Sequence, residues 1–161
     1  MTTLAVTGHM DLTDETVPLV RAALRELLAE HSGDLTGVSC IAAGSDSIFA
    51  EEVSAIGGRL IAVIPSEDYR ATKVKAAHAA VFDHLLEAAA HVVTLPHPTA
   101  NRAAYEAANA ELLRRADRLV AVWDGTPPSG KGGGTADTVE QARQAGLPVD
   151  VVWPTEAARR G

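Results

Sequence analysis

From end to end, the chain alternates short apolar runs with longer stretches of helical apolar spacing, and few folds admit that order. Leu4–Thr7, Val38–Ala42, Leu60–Ile64, His91–Leu95, Arg118–Trp123 and Val149–Trp153 each read as a strand. Between them, Val17–Glu30, Ser45–Ile56, Ala71–Ala90, Asn101–Ala116 and Thr135–Ala145 read as helices, with Gly33, Gly57-Gly58 and Gly146 as stops. Continuously apolar strands must be covered on both faces, and helical crossovers between parallel strands provide that cover. The pattern predicts an α/β, Rossmann-like, doubly wound and mostly parallel sheet with helices on both faces. It predicts a single nucleotide-binding domain over residues 1–155 and a frayed, flexible tail over 156–161.

Composition narrows the class. A chain of 161 residues with 47% hydrophobic and 22% charged residues can bury a real core. Its net charge of −7 argues against wrapping nucleic acid, so no nucleic-acid partner is expected, although a small basic pocket stays open. Cys40 is the single cysteine, which rules out an internal disulfide and points away from an oxidising compartment. No apolar run reaches the roughly 18 residues of a spanning helix, and no basic, signal-like segment precedes Leu4. The expected location is cytoplasmic, with no membrane partner.

Ligands of doubly wound folds bind beyond the carboxyl ends of the strands, where the strand order reverses. That rule gathers Gly8-His9, Gly44-Ser45-Asp46 and Asp124-Gly125 on one rim. The run Leu119–Val122 ends at Trp123-Asp124-Gly125, and the glycine cluster Gly130 to Gly134 then opens a helix at Thr135. Glycines admit close backbone approach, and a helix start offers unpaired N–H groups, so Gly132, Gly133, Gly134 and Thr135 make a phosphate seat for a nucleotide-like small molecule. Gly125 to Lys131 satisfies G-x-x-x-x-G-K, yet Gly132 replaces the hydroxyl residue that would hold magnesium, which argues against a P-loop NTPase. The G-x-G-x-x-G dinucleotide pattern fails at Thr135. A surface linker after Pro127-Pro128 is the competing reading of the glycines.

Gly132 to Glu140, preceded by Leu-Val-Ala-Val-Trp-Asp-Gly, resembles the SLOG superfamily of Rossmann-like nucleotide-binding proteins. That group includes the LOG phosphoribohydrolases and DNA-processing proteins of the DprA type. Ala42 to Glu51 is similar to the glycine-acid segment after the second strand in the same group, and the likeness runs from about Leu4 to Trp153. It implies phosphate on Gly133, Gly134 and Thr135, with Gly44 and Asp46 flanking the nucleotide. LOG enzymes carry P-G-G-x-G-T-x-x-E, whose glutamate acts at the ribose when the N-glycosidic bond of a nucleoside 5′-monophosphate is hydrolysed. Here Thr138 stands at the glutamate position, with Asp137 and Glu140 as the nearest acids.

Each remaining candidate has a structural alternative. Asp137 and Glu140 are candidate catalytic acids, but an acid in a first helical turn is favoured by the dipole alone. Ser45 or Asp46 reads as an N-cap or as a ligand contact. Asp124 can accept from a ribose hydroxyl or cap its own loop. His9 can donate to a phosphate or act as a general acid, against a surface or capping role, and Trp123 can stack on a base or fill the core. The six histidines form no metal pattern, and no motif calls for a metal or other cofactor. Two functions stay open: a nucleotide-binding sensor or carrier module, and a LOG-like phosphoribohydrolase. A homo-oligomer is allowed by the alanine-rich helices, whose small-residue faces could equally pack on the sheet.

Overall fold

The structure, a computed structural model, describes residues 1–130 and 134–161. Its elements follow one another as β1 (Thr2–Gly8), α1 (Thr16–Ala29), β2 (Leu35–Ser39), α2 (Ser45–Ala55), β3 (Arg59–Ile64), α3 (Tyr69–Lys73) and α4 (Ala76–Ala88). Then come β4 (His91–Thr94), α5 (Arg102–Arg115), β5 (Arg118–Val122), α6 (Thr135–Gln144) and β6 (Val149–Val152). The six strands form one parallel sheet in the order β4-β3-β2-β1-β5-β6. The strand order reverses between β1 and β5, so the crevice above those two strands is the switch point of the sheet.

Each face is covered as the apolar pattern requires. Leu4 and Val6 of β1 pack with Val20, Leu24 and Leu28 of α1 and with Phe49 and Val53 of α2. Ala5 turns to the opposite face, where Ala108 and Leu112 of α5 and Val139 and Ala142 of α6 close over it. A third cluster joins Ala50 of α2 to Leu60 and Ala62 of β3 and Phe82 and Leu85 of α4. The small-residue face of α5, with Ala104 and Ala108 fully covered, therefore packs within the chain.

Three boundaries differ from the sequence reading. The second strand begins at Leu35 and ends at Ser39, earlier than expected, because Gly37 is a strand residue. A Cβ at Gly37 would lie 2.7 Å from Val53 Cγ2, so the glycine admits α2 rather than marking a turn. The helix expected over Ala71–Ala90 is two helices, since Val74 is extended (ψ 110°) and packs toward the third cluster. Residues 158–160, in the expected tail, are hydrogen-bonded to the rest of the chain. Thr13 N–H donates to Ala158 O, Ala158 N–H to Thr16 Oγ1, and Arg160 N–H to Asp11 O, which straps this segment along the loop after β1.

Candidate functional site

At the carboxyl ends of the strands, β1 and α2 meet too closely for an ordinary residue at Gly8. An added Cβ there would lie 2.5 Å from Ser45 Cβ. Gly44 has φ of +81°, and its missing Cβ would meet His9 O and Met10 at 2.9 Å. Ser45 is buried, and its Oγ donates to His9 O at 2.7 Å while its N–H reaches the same carbonyl. Ser45 is therefore no N-cap: α2 starts from Gly44 without a side-chain cap. Gly44 and Ser45 clamp the turn after β1 from behind the site.

That turn carries His9. Its Nε2 lies 3.1 Å from both Asp124 N and Asp124 Oδ1, while Trp153 meets the ring edge-on at 5.6 Å. As an acceptor, the ring takes the backbone N–H; as a donor, it serves the carboxylate. Asp124 also accepts from Thr126 Oγ1 at 2.5 Å and Thr126 N–H at 2.9 Å. Burial works against its charge, but the Thr126 and His9 bonds outweigh it and hold the carboxyl well below the usual range. Asp124 thus orders the loop after β5 and joins it to the loop after β1.

Above this junction opens a cavity of about 620 Å³. Gly8, His9, Asp46, Gly134, Thr135 and Asp137 line it, so the crossovers bring these predicted residues together. Gly132 and Gly133 lie outside the described residues. Gly125 and Glu140 border a separate groove beside Trp123 and Arg143. Asp137 Oδ2 accepts the Gly134 N–H at 3.2 Å, a capping contact within α6. Thr138 is fully buried, and its hydroxyl donates to Gly134 O at 3.0 Å. Thr138, expected at the glutamate position of the resembling motif, is part of the helix's own packing.

Asp46 sits in the second position of α2, where a helix dipole favours a carboxylate. Burial dominates nonetheless and pushes its carboxyl up to about 7, against a hydrogen bond from Ala42 N–H. Cys40 and Tyr69 share this end of the cavity, and burial raises both above their ordinary values, with Asp46 adding to each. Among the described residues, the lysine and arginine that line the cavity are Lys73 of α3 and Arg159 of the strapped segment, neither of which the sequence singled out. Tyr69 and Lys73 follow β3 closely, so the strand-end rule could have found them. Arg159 gave no signal, being in a stretch read as a tail. Among the described residues no group of acids, histidines and cysteines could hold a metal ion.

The arrangement is a Rossmann-like fold whose crevice, among the described residues, is lined by the first turn of α6 and by the cations Lys73 and Arg159. The Rossmann-like fold has close counterparts among solved structures. It is shared with DNA processing protein A from Streptococcus pneumoniae (TM-score 0.70, 19% identity), covering 97% of this chain and 52% of that one. It is shared also with the Moco carrier protein of Chlamydomonas (TM-score 0.55, 19% identity), covering 94% of this chain and 75% of that one. This chain spans about half the length of the S. pneumoniae protein. No protein-family model and no curated protein sequence matches the chain.

One expectation is overturned. DNA processing protein A from Helicobacter pylori (TM-score 0.68, 16% identity), covering 98% of this chain and 68% of that one, has this fold and a described single-stranded DNA binding mode. Exclusion of nucleic acid by overall acidity therefore does not stand. The physical reason is that −7 is a sum over the whole chain. Asp11, Glu52, Glu111 and Asp150 are all paired with arginines, so the total says little about any one face.

Proposed function

We propose that the chain binds a nucleotide or related phosphorylated small molecule in this cavity, as a sensor or carrier module. The observation that carries the reading is the first turn of α6, whose residues Thr135, Ala136 and Asp137 all line the cavity at the switch point. The N–H groups of a first helical turn have no intrahelical acceptor, and the helix dipole favours an anion there. A volume of about 620 Å³ lies within the range of small-molecule and cofactor sites. The phosphate would rest on Gly134 and Thr135, with the sugar and base toward Asp46 and Tyr69. Binding without turnover is favoured because Thr138 is locked in the helix and Asp137 caps it. Residues 1–155 would act as one unit, and the lone Cys40 favours the cytoplasm.

Thermal unfolding with paired ligands tests this. A ligand that binds only the folded chain stabilises it by about 2.7 kcal/mol at a hundredfold excess over Kd. Nucleoside monophosphates should raise Tm and their parent nucleosides should not. No shift with any nucleotide would defeat the reading.

Asp46 favours a second reading, hydrolysis of a nucleoside 5′-monophosphate. A carboxyl with its pKa near 7 can hold a proton at neutral pH and deliver it to a departing base as water adds to C1′ of the ribose. Release of free base by the native chain, lost in Asp46→Asn, would establish it. Monophosphate binding without base release would leave the carrier reading alone.

A further inference from the structure

We propose that Arg159, delivered by the segment beyond β6, is the residue that binds the anionic group of the ligand at the switch point. This rests on the phosphorylated-ligand reading above and names the side chain that would read the phosphate.

Arg159 bridges the two loops that form the crevice. Its Nε donates to Asp11 Oδ1 at 2.9 Å and contacts Oδ2 at 3.1 Å, and Asp11 belongs to the loop after β1. Its Nη1 lies 3.6 Å from Asp124 Oδ2, immediately after β5. The side chain lines the cavity and is 37% exposed. A guanidinium has five N–H donors in a planar fork. Nε serves Asp11 and Nη1 is turned to Asp124, while among the described residues no hydrogen bond leaves Nη2, the end of the fork left to a ligand.

The backbone holds this placement independently of the side chain. Thr13 N–H to Ala158 O, Ala158 N–H to Thr16 Oγ1 and Arg160 N–H to Asp11 O secure the residues on both sides of Arg159. Arg160 turns away, to Leu12 O and Asp14. Lys73, the other lysine or arginine lining the cavity among the described residues, is exposed on a five-residue helix and forms no ion pair among them. The pre-oriented fork, rather than the mobile ammonium, fits the planar recognition of phosphate oxygens.

The test is titration of the full chain with AMP and adenosine, with variants checked for native unfolding midpoints. Arg159→Gln should weaken AMP at least about tenfold and leave adenosine unchanged, as expected for loss of a charge-assisted pair. Arg160→Gln, which alters the strap but keeps the cavity cation, should stay within about twofold of the native chain. Asp11→Asn/Arg159→Gln removes the carboxylate that Arg159 neutralises and should remain weak.

Native affinity for AMP in Arg159→Gln would overturn the inference while leaving the phosphorylated-ligand reading intact. Equal losses in Arg160→Gln would assign the effect to strap docking, and recovery in the double variant would assign it to Asp11 repulsion. Either result overturns direct contact. If the native chain binds no nucleotide, the broader reading fails and takes this one with it.

Discussion

Gly8→Ala separates two reasons for a glycine at the end of β1: close approach of a ligand, and close approach of α2. A Cβ at Gly8 would lie 2.5 Å from Ser45 Cβ, 2.7 Å from Ser45 Oγ and 2.8 Å from Val122 Cβ. Carbon atoms in contact settle at about 3.5–4.0 Å, so relief needs a shift of roughly 1 Å. Neither neighbour can give easily. Ser45 is fully buried and bonded twice to His9 O, while Val122 is fully buried and paired in register with Gly8 itself. Overpacking of this kind costs about 1–3 kcal/mol, and pressure from two sides places Gly8→Ala near 3 kcal/mol. For a chain of this size that is a fall in Tm of roughly 6–12 °C.

Urea unfolding followed by circular dichroism reads the effect directly. Ser45→Gly removes both closest atoms and should cost about 1 kcal/mol by itself, through the lost bond to His9 O. In the double variant, the two costs should sum to less than the separate values by about 1 kcal/mol or more. Strict additivity, or a Gly8→Ala chain as stable as the native one, would refute packing as the reason for the glycine. Native stability with lost nucleotide binding would assign the glycine to the ligand.

Other substitutions probe the rest of the scaffold. Thr138→Glu, which restores the acid of the LOG pattern, should unfold or strongly destabilise the chain, by about 3 kcal/mol or more, because it buries a carboxylate where a hydroxyl serves Gly134 O; a stable variant that releases base would contradict this. Glu52→Ala removes the partner of Arg25 (2.7 Å) and Arg21 (2.9 Å) and should cost about 1–2 kcal/mol at neutral pH, since the arginines stay half-solvated. Arg25, then Arg21, lowers the Glu52 carboxyl below 4.5, so this stabilisation is whole above that pH and fades as pH falls through the lowered value; denaturant midpoints of both chains should converge in acid. Asp46 works in the opposite sense. The folded chain keeps its proton up to about 7 and the unfolded chain to 3.8, so native stability falls as pH rises between those values. Asp46→Asn should flatten that slope, and an unchanged slope measured by urea titration would show that Asp46 is not the group responsible.

The fold was legible because its strands announce themselves by apolar length, and the helices between them by spacing and glycine stops. What escaped were places where tertiary packing decides. The sequence reading began the second strand at Val38, yet Gly37 lies within β2, where a side chain would meet Val53 and Phe49. Val74 interrupts an alanine-rich stretch of high helical propensity because burial beside the third cluster favours an extended residue there. The rim residues Gly8, His9 and Asp46 were legible from the strand-end rule alone. Their individual work was not, since only coordinates distinguish a serine that caps a helix from one that clamps a carbonyl.

The strapped segment shows the same limit from the other side. Ala157, Ala158, Arg159, Arg160 and Gly161 carry no periodicity, and exposed arginines near a sheet's last strand read as solvent-facing. Their placement depends on donors and acceptors left open on a distant loop: Asp11 O, the Thr13 N–H and Thr16 Oγ1. A parallel sheet leaves such loops unpaired at its carboxyl edge, and at the switch point the two neighbouring loops diverge to opposite faces. A segment returning across that edge can satisfy them and bring in a charge that neither loop supplies. Here it brings Arg159 to the carboxylates of Asp11 and Asp124. The crossing thus adds a cation to the crevice that the net charge of the chain does not report.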